Sequence, residues 1–445
     1  MAIDARLRPM LRGALDAESK QQWDQAAWLY GVALQLAPGD HRLHTNLGNV
    51  YWLADQPLRA ASCFERAVGL APDQPLPYRG LGNALRDLNA FERAVEAYQR
   101  ALRLDPAPLT AWNLSQTLIG LERYQEAYAT AEERLAIPEM LAHRPQPYWD
   151  GSGAQGDLMA QGPLRLWSEQ GFGDTLQYLR WVVPLCFHPH QLCLEVEWQL
   201  VGLLRQGLAW LPYPPPVVAK DRSGALPEPI SDSHGPLMSL AHHCGGAPLR
   251  DPWARAEAQA ISSGSQGYLR SQHWPSRVVG KRPRVGVVWA AGRKLDDSFS
   301  AREYQKRSLP ASALGALLDG LKGQGAELVA LQHGPDRDQA DPWKHCFVDH
   351  LPEDADFAVA AAWVRQLDLV ICVDTAMAHL AGALGQPGWV LLPFSADPRW
   401  LRDRSDSVWY PSLRLWRQPS TGHWDAVVEA VLDGFSGWWT QASSC

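Results

Sequence analysis

Cysteine is scarce in this sequence and never paired as CxxC. The seven cysteines stand at 63, 186, 193, 244, 346, 372 and 445, an odd number at scattered spacings. That pattern argues against a disulfide framework and against a structural zinc site. Long apolar runs are also missing: no stretch of 18 apolar residues occurs, so no spanning helix is expected. The first residues, MAIDARLRPMLRGALDAESK, lack the apolar segment of a secretory signal. A reduced, cytoplasmic protein is the expectation. Basic excess is absent too: 41 Lys and Arg stand against 48 Asp and Glu, a net charge of −7, which disfavours a nucleic-acid partner.

What is present is an ordinary globular balance, 46% hydrophobic and 20% charged, over 445 residues. At ~150 residues per domain, about three domains are expected. Tryptophan is abundant: 21 residues, as many as Phe and Tyr together. These indoles supply large packing surfaces without naming a function.

Residues 1–135 carry a repeat. Pro38, Pro72 and Pro106 lie 34 residues apart, and Ala26, Ala60 and Ala94 keep the same period. So do Tyr30, Phe64 and Tyr98, and then Ala33, Ala67 and Ala101; Leu47-Gly48 matches Leu81-Gly82. A fourth unit, AWNLSQTLIGLERYQEAYATAEERL, fits with one residue deleted. A 34-residue period of small, aromatic, small and proline positions resembles the tetratricopeptide (TPR) repeat, two antiparallel helices per unit. Stacked units form a groove that takes a protein or peptide. Asn49, Asn83 and Asn113 recur near the period and are expected either to face that groove or to serve as packing and capping residues. Residues 136–160 are rich in Pro, Gly and turn formers and read as a linker.

From about 161 the texture becomes short apolar runs alternating with helical patterns. LRLWSEQ, QLCLEVE, RVGVVWA, AELVALQ, DLVICVD and GWVLLPF read as strands. GFGDTLQYLRWVVPL, WQLVGLLRQGL, LPASALGALLDGLKG, DFAVAAAWVRQL and TAMAHLAGALG read as helices. Unbroken apolar strands between helices predict parallel sheets covered on both faces. Two Rossmann-like halves, 161–265 and 280–445, are expected.

In such sheets ligands bind beyond the carboxyl ends of the strands. Three loops there carry candidate residues. In SEQGFGDTLQYLR, Asp174 is either a helix cap or a general base facing a cleft between the halves. The full GxGxxG phosphate signature is lacking. In VDTAMAHLAGALGQP, a strand ends at Asp374 and a helix begins at Thr375, so free backbone N–H groups, the Thr375 hydroxyl and His379 one turn on could meet a phosphate. The alternative is a cap and a packed histidine. The loop AGRKLDDSFSAREYQKRSLP is rich in basic residues (293, 294, 302, 306, 307) and reads either as a solvated loop or as one that closes over a phosphate. Arg307 and Ser308 are the best placed. His242, His243 and Cys244 are not joined by a further ligand at metal-site spacing, and no metal is expected. The tryptophans at 400, 409, 416, 424, 438 and 439 are expected either to pack a C-terminal helix against the Rossmann-like halves or, some of them, to stack on a sugar or base.

GFGDTLQYLR, RVGVVWA…RSLP, LVALQHGP, LDLVICVDTAMAHLAGALGQPGWVLLP and WYPSLRLWRQ together resemble the heptosyltransferase-like glycosyltransferases of family 9, and more closely the bacterial TPR–glycosyltransferase fusions related to them. The O-linked N-acetylglucosamine transferase, which also joins TPR units to two Rossmann halves, is a remoter likeness. The resemblance spans about 160–430 plus the repeats. It implies a multidomain chain, an all-α TPR solenoid followed by an α/β GT-B unit with an acceptor half and a donor half. It implies an inverting, metal-independent enzyme without cofactor that uses a nucleotide-diphosphate sugar. Asp174 would match the catalytic base, Arg307 the donor-diphosphate contact, and Asp374, Thr375, Ala376 and His379 the donor-binding turn and helix. The chain departs from the family at Ala376, where glycine is usual, and in its short N-terminal half. Both departures keep open a second reading, a non-catalytic TPR scaffold.

Overall fold

The computed structural model describes residues 7–137, 147–152, 162–220, 232–246, 267–275, 280, 282–293 and 295–442. Lys294, Cys445 and most of the expected linker lie outside these residues. Two compact units result. One gathers Met1–Leu141, Lys294–Lys306 and Ser395–Arg402; the other gathers Ala142–Arg293, Arg307–Phe394 and Asp403–Cys445.

The first unit is a TPR solenoid of four helix pairs: α1 (Leu7–Ser19) with α2 (Trp23–Leu36), α3 (His41–Leu53) with α4 (Pro57–Leu70), α5 (Pro75–Asp87) with α6 (Phe91–Leu104), and α7 (Pro108–Gly120) with α8 (Tyr124–Ala131). The repeated aromatics fill space that glycine leaves. A Cβ on Gly48 or Gly80 would lie 2.8 or 2.3 Å from the Phe64 ring, and one on Gly82 would lie 2.6 Å from Tyr98. Ala26, Ala60 and Ala94 are wholly buried, which lets the helices close on one another. Each pair turns through one residue of positive φ: Gln21, Asp55, Asn89 and Glu122. The last interval is one residue short of the period, where the fourth unit has its deletion. Asn83 Oδ1 accepts from Tyr98 Oη at 2.7 Å and from Asn113 Nδ2 at 3.1 Å, so these two asparagines knit adjacent repeats together. Asn49 is exposed.

The second unit holds two wholly parallel sheets. The smaller has β1 (Leu164–Trp167), β2 (Leu192–Val196), β3 (Val217–Ala219) and β4 (Ser233–Pro236) in the order β3-β2-β1-β4. The larger has β5 (Arg284–Val288), β6 (Glu327–Ala330), β7 (Phe347–His350), β8 (Leu369–Val373), β9 (Gly388–Leu392) and β10 (Leu413–Arg417). Its order, β10-β9-β8-β5-β6-β7, is that of a doubly wound sheet. Strands β1, β2, β8 and β9 are buried at every position; β8 and β9 are apolar throughout, while β1 and β2 each bury one charge, Arg165 and Glu195, which pair at 3.1 Å.

Helix α9 (Phe172–Leu185) follows β1, α10 (Trp198–Gly207) follows β2, and the helix Ala376–Ala383 follows β8. The tryptophan-rich tail packs only in part as expected: Trp416 and Trp438 join Trp389 and Phe435 in an aromatic cluster between the larger sheet and the helix Trp424–Ala442, whereas Trp400 belongs to the helical unit and Trp409 lies against Arg180 and Trp181 of α9. No helix among the described residues is long and apolar enough to cross a membrane.

The basic stretch after β5 is not a solvated loop. It contains the helix Ser298–Arg307, whose first nine residues belong to the helical unit. A sequence so polar folds as a helix because the repeats supply the surface it packs on.

Candidate functional site

In the larger sheet the chain leaves β5 toward β6 and leaves β8 toward β9, on opposite sides. The loops after these two neighbouring strands therefore diverge, and the crevice between them is the topological switch point where ligands bind in doubly wound sheets. The residues after β5 are tied down by side chains. Gln332 Oε1 accepts from the Trp289 and Ala290 amides at 3.1 and 2.9 Å. Ser308 Oγ accepts from Ala291 N at 3.1 Å. Ser308 is buried, so its hydroxyl fixes the loop.

Across the crevice, Arg307 donates to the Asp374 carbonyl at 3.4 Å, which joins the two diverging loops. Thr375 caps the helix that follows, its Oγ accepting from Met377 N at 3.2 Å. Asp374 is buried. It also lies near Arg417, at the carboxyl end of β10; burial pulls that guanidinium down to about 10, while Asp403 and Asp374 act in the opposite sense. Arg417 was not singled out from the sequence. Its signal was its place at the end of an apolar-alternating segment, LRLWR.

His379 is buried, with Nδ1 3.0 Å from Tyr410 Oη. Helix α9 rests against it: a Cβ on Gly173 would come within 2.6 Å of His379 Cδ2. Arg180 of α9 donates to the Trp409 carbonyl at 2.9 Å, and its guanidinium lies 4.8 and 4.9 Å from the Trp409 and Tyr410 ring centres. The helix start at 171–174 is thereby held beside the helix that begins at Ala376. Asp174, half-buried and at the third position of the helix, accepts from the N-cap Gly171 N at 3.0 Å; glycine has no side chain to return the bond. Glu169, on the loop after β1, accepts from Met238 N at 3.3 Å just beyond β4, at the switch point of the smaller sheet.

The Gly173 contact makes a direct prediction. Gly→Ala inside a helix ordinarily stabilises by up to about 1 kcal/mol. Here the ring in the way is buried and hydrogen-bonded, and overpacking of this kind costs about 1–3 kcal/mol. Gly173→Ala is expected to lower the melting temperature, and to cost less in a His379→Ala background that clears the space. Equal costs in both backgrounds would show that the contact does not limit packing.

A second cluster lies in the helical unit. Arg302, only 3% exposed, donates to Asp87 Oδ2 at 2.6 Å and to Asp55 Oδ1 at 2.8 Å. Its guanidinium sits 4.9 Å from the Trp52 ring centre, and Trp52 Nε1 donates to Asp87 at 2.8 Å. Phe299 stacks on Trp52 at 5.6 Å. Lys306 pairs with Glu303 at 2.7 Å. Arg302 and Lys306, expected on a phosphate-covering or solvated loop, are thus engaged by the repeats or within their own helix. From the segment after β9, Arg402 donates to the Asn89 carbonyl and lies 4.9 Å from the Phe91 ring centre. The carboxyl ends of α3 and α5 therefore form a surface that reads arginine and aromatic side chains.

Residues 41–74 and 76–108 match tetratricopeptide-repeat family models. The chain is similar to Protein FlbA of Caulobacter vibrioides, 25% identical over 436 residues that cover 90% of this chain and 68% of that protein. It is also similar to the peroxisomal targeting signal receptor of Candida albicans, 32% identical over 104 residues, 22% of this chain and 18% of that protein. Among solved structures, MamA matches over 31% of this chain and 76% of its own, at 19% identity and a TM-score of 0.30. The family models establish N-terminal TPR protein-interaction repeats, and the strand order shows the α/β region with parallel sheets that follows them.

Proposed function

We propose that the chain is an inverting, metal-independent glycosyltransferase of GT-B type, which moves a sugar from a nucleotide-diphosphate donor to an acceptor hydroxyl, and whose repeats recruit the protein that carries or accompanies the acceptor. The observation that carries this reading is the meeting of Arg307, Asp374 and Thr375 at the switch point between β5 and β8. A donor diphosphate would lie against the first amides of the helix Ala376–Ala383, where the partial positive charge of the helix start favours an anion. Arg307 would neutralise the charge that grows on the leaving diphosphate.

In the reaction the acceptor oxygen bonds to the anomeric carbon as the carbon–diphosphate bond breaks. Asp174 takes the hydroxyl proton from the opposite side, so the configuration inverts in one displacement. Glu169, on the same strand-end loop, is a further polar group for the acceptor. The reading predicts that Arg307→Ala weakens nucleotide-sugar binding by about 1–3 kcal/mol, the range for a hydrogen bond to a charged group. Titration calorimetry of both proteins checks this, and equal affinity would remove Arg307 from the site.

A second reading, a TPR scaffold with a non-catalytic α/β unit, is favoured by other details. Thr375 and Asp174 each accept a local amide as caps do, His379 is buried on Tyr410, and Ala376 carries a methyl group at the helix start. That reading expects no affinity for nucleotide sugars.

A further inference from the structure

In the larger sheet's region, the helix Ala311–Gly323 packs against the 3₁₀ stretch Pro335–Cys346 that leads into the edge strand β7. The two elements are pinned twice. Trp343 fills the space at Gly315, where a Cβ would lie 2.3 Å from the ring, and Lys322 Nζ donates to the His345 carbonyl at 2.7 Å. Between these anchors three donor atoms come together: Cys346 Sγ stands 3.6 Å from His345 Nε2 and 3.7 Å from Asp319 Oδ1, with all three atoms within 4.8 Å of one another. In tetrahedral zinc, with Zn–S of about 2.3 Å and Zn–N or Zn–O of about 2.0–2.1 Å, ligand atoms sit about 3.6 Å apart. Two of the three edges already have that length, on elements whose backbones are held from either side.

We propose that Asp319, His345 and Cys346 form a three-ligand site for a borderline divalent cation, zinc in particular, separate from the switch-point crevice. A thiolate, an imidazole and a carboxylate are a donor set that zinc accepts, and the exposure of Asp319 and His345 leaves a fourth position for water. Binding replaces the thiol proton: the metal–sulfur bond forms and one proton passes to solvent. Burial and the neighbouring Asp319 hold the thiol protonated in the metal-free protein, while the Lys322 ammonium pulls the other way. The bound ion ties the helix Ala311–Gly323 to the start of β7.

Cobalt(II) is the probe, because its thiolate complexes absorb in the near ultraviolet. The full-length protein, treated with chelator and then titrated with Co²⁺, is expected to develop a sulfur-to-cobalt charge-transfer band that saturates at one equivalent and is displaced by Zn²⁺. Cys346→Ser is expected to lose the band. His345→Ala, an exposed change that leaves the fold alone, is expected to weaken Co²⁺ at least about 10–100-fold, since even an outer-shell partner is worth that much. No band in the wild-type protein, an unchanged band in Cys346→Ser, or unchanged affinity in His345→Ala would each overturn the assignment.

Discussion

Arg302→Met is expected to cost the helical unit about 3–5 kcal/mol, because breaking a buried ion pair from one side strands the other charge. Asp87 is the charge left behind. It is 3% exposed, and burial alone would push its carboxyl upward; Arg302, Lys306 and Arg86 outweigh that and hold it well below the usual carboxylate range. After the change Asp87 keeps the Trp52 indole donor but loses its 2.6 Å partner. Methionine fills much of the space over Trp52, so the loss is electrostatic more than steric.

The sign with pH follows from the depressed carboxyl. Its folded pKa lies below the unfolded one, so the stabilisation is complete at neutral pH and is lost as pH falls through the folded value. Wild-type protein should therefore lose stability on acidification more steeply than Arg302→Met. Removing both partners, in Arg302→Met with Asp87→Leu, is expected to recover most of the loss, since apolar replacements of buried pairs are often neutral. Hydrogen exchange of the α3 and α5 amides measures the unit itself rather than the whole chain. An Arg302→Met protein whose α3 and α5 amides exchange as in wild type would show that the cluster is not holding the repeats.

Asp174→Asn is expected to reduce sugar transfer at least about a hundredfold while leaving donor binding and melting temperature unchanged. A positioned base is worth roughly 10²–10⁴ in rate. The side-chain oxygen of asparagine can still accept the Gly171 amide that Asp174, at the third position of the helix, accepts at 3.0 Å. The substitution thus separates the observed bond to Gly171 N from the proposed base role: the first survives and the basicity does not. Release of nucleoside diphosphate in the presence of acceptor gives the rate. Unchanged turnover would leave Asp174 as a cap alone.

The repeats were legible because a solenoid writes its packing into a fixed period. Phe64 and Tyr98 fill the space beside glycines one period apart, Gly48 and Gly82, and the short last interval appears again in the backbone at Glu122. The strands β1, β2, β5, β6, β8 and β9 were legible because burial on both faces makes their sequences largely apolar, with a single charged residue in each of β1, β2, β5 and β6. β3, β4, β7 and β10 were not. β3 is three residues long, β4 reads Ser-His-Gly-Pro, and β7 exposes Val348, Asp349 and His350 at the sheet edge. β10 alternates buried Leu413 and Leu415 with an exposed Arg414, so it lacks a run.

The helix Ser298–Arg307 was illegible for a different reason. Its stability comes from Asp55, Asp87 and Trp52, more than 200 residues away in sequence, and nothing local announces that partnership. From the sequence, Asp374 and Thr375 were singled out at a strand end, and Arg307 and Ser308 in the long basic segment after β5. It did not reveal that Ser308 spends its hydroxyl on Ala291, that His379 is a packing partner of Gly173, or that Arg417 lies near Asp374. Those relations depend on strand order, which periodicity does not encode.

The central claim is that the crevice between β5 and β8 binds a nucleotide-diphosphate sugar. Thermal melting of the purified full-length protein against a panel of common nucleotide sugars at millimolar concentration tests it most directly. A rise in melting temperature with at least one of them, absent in Arg307→Ala, is the predicted result. No shift with any member of the panel would contradict the claim and leave the TPR scaffold as the reading of this chain.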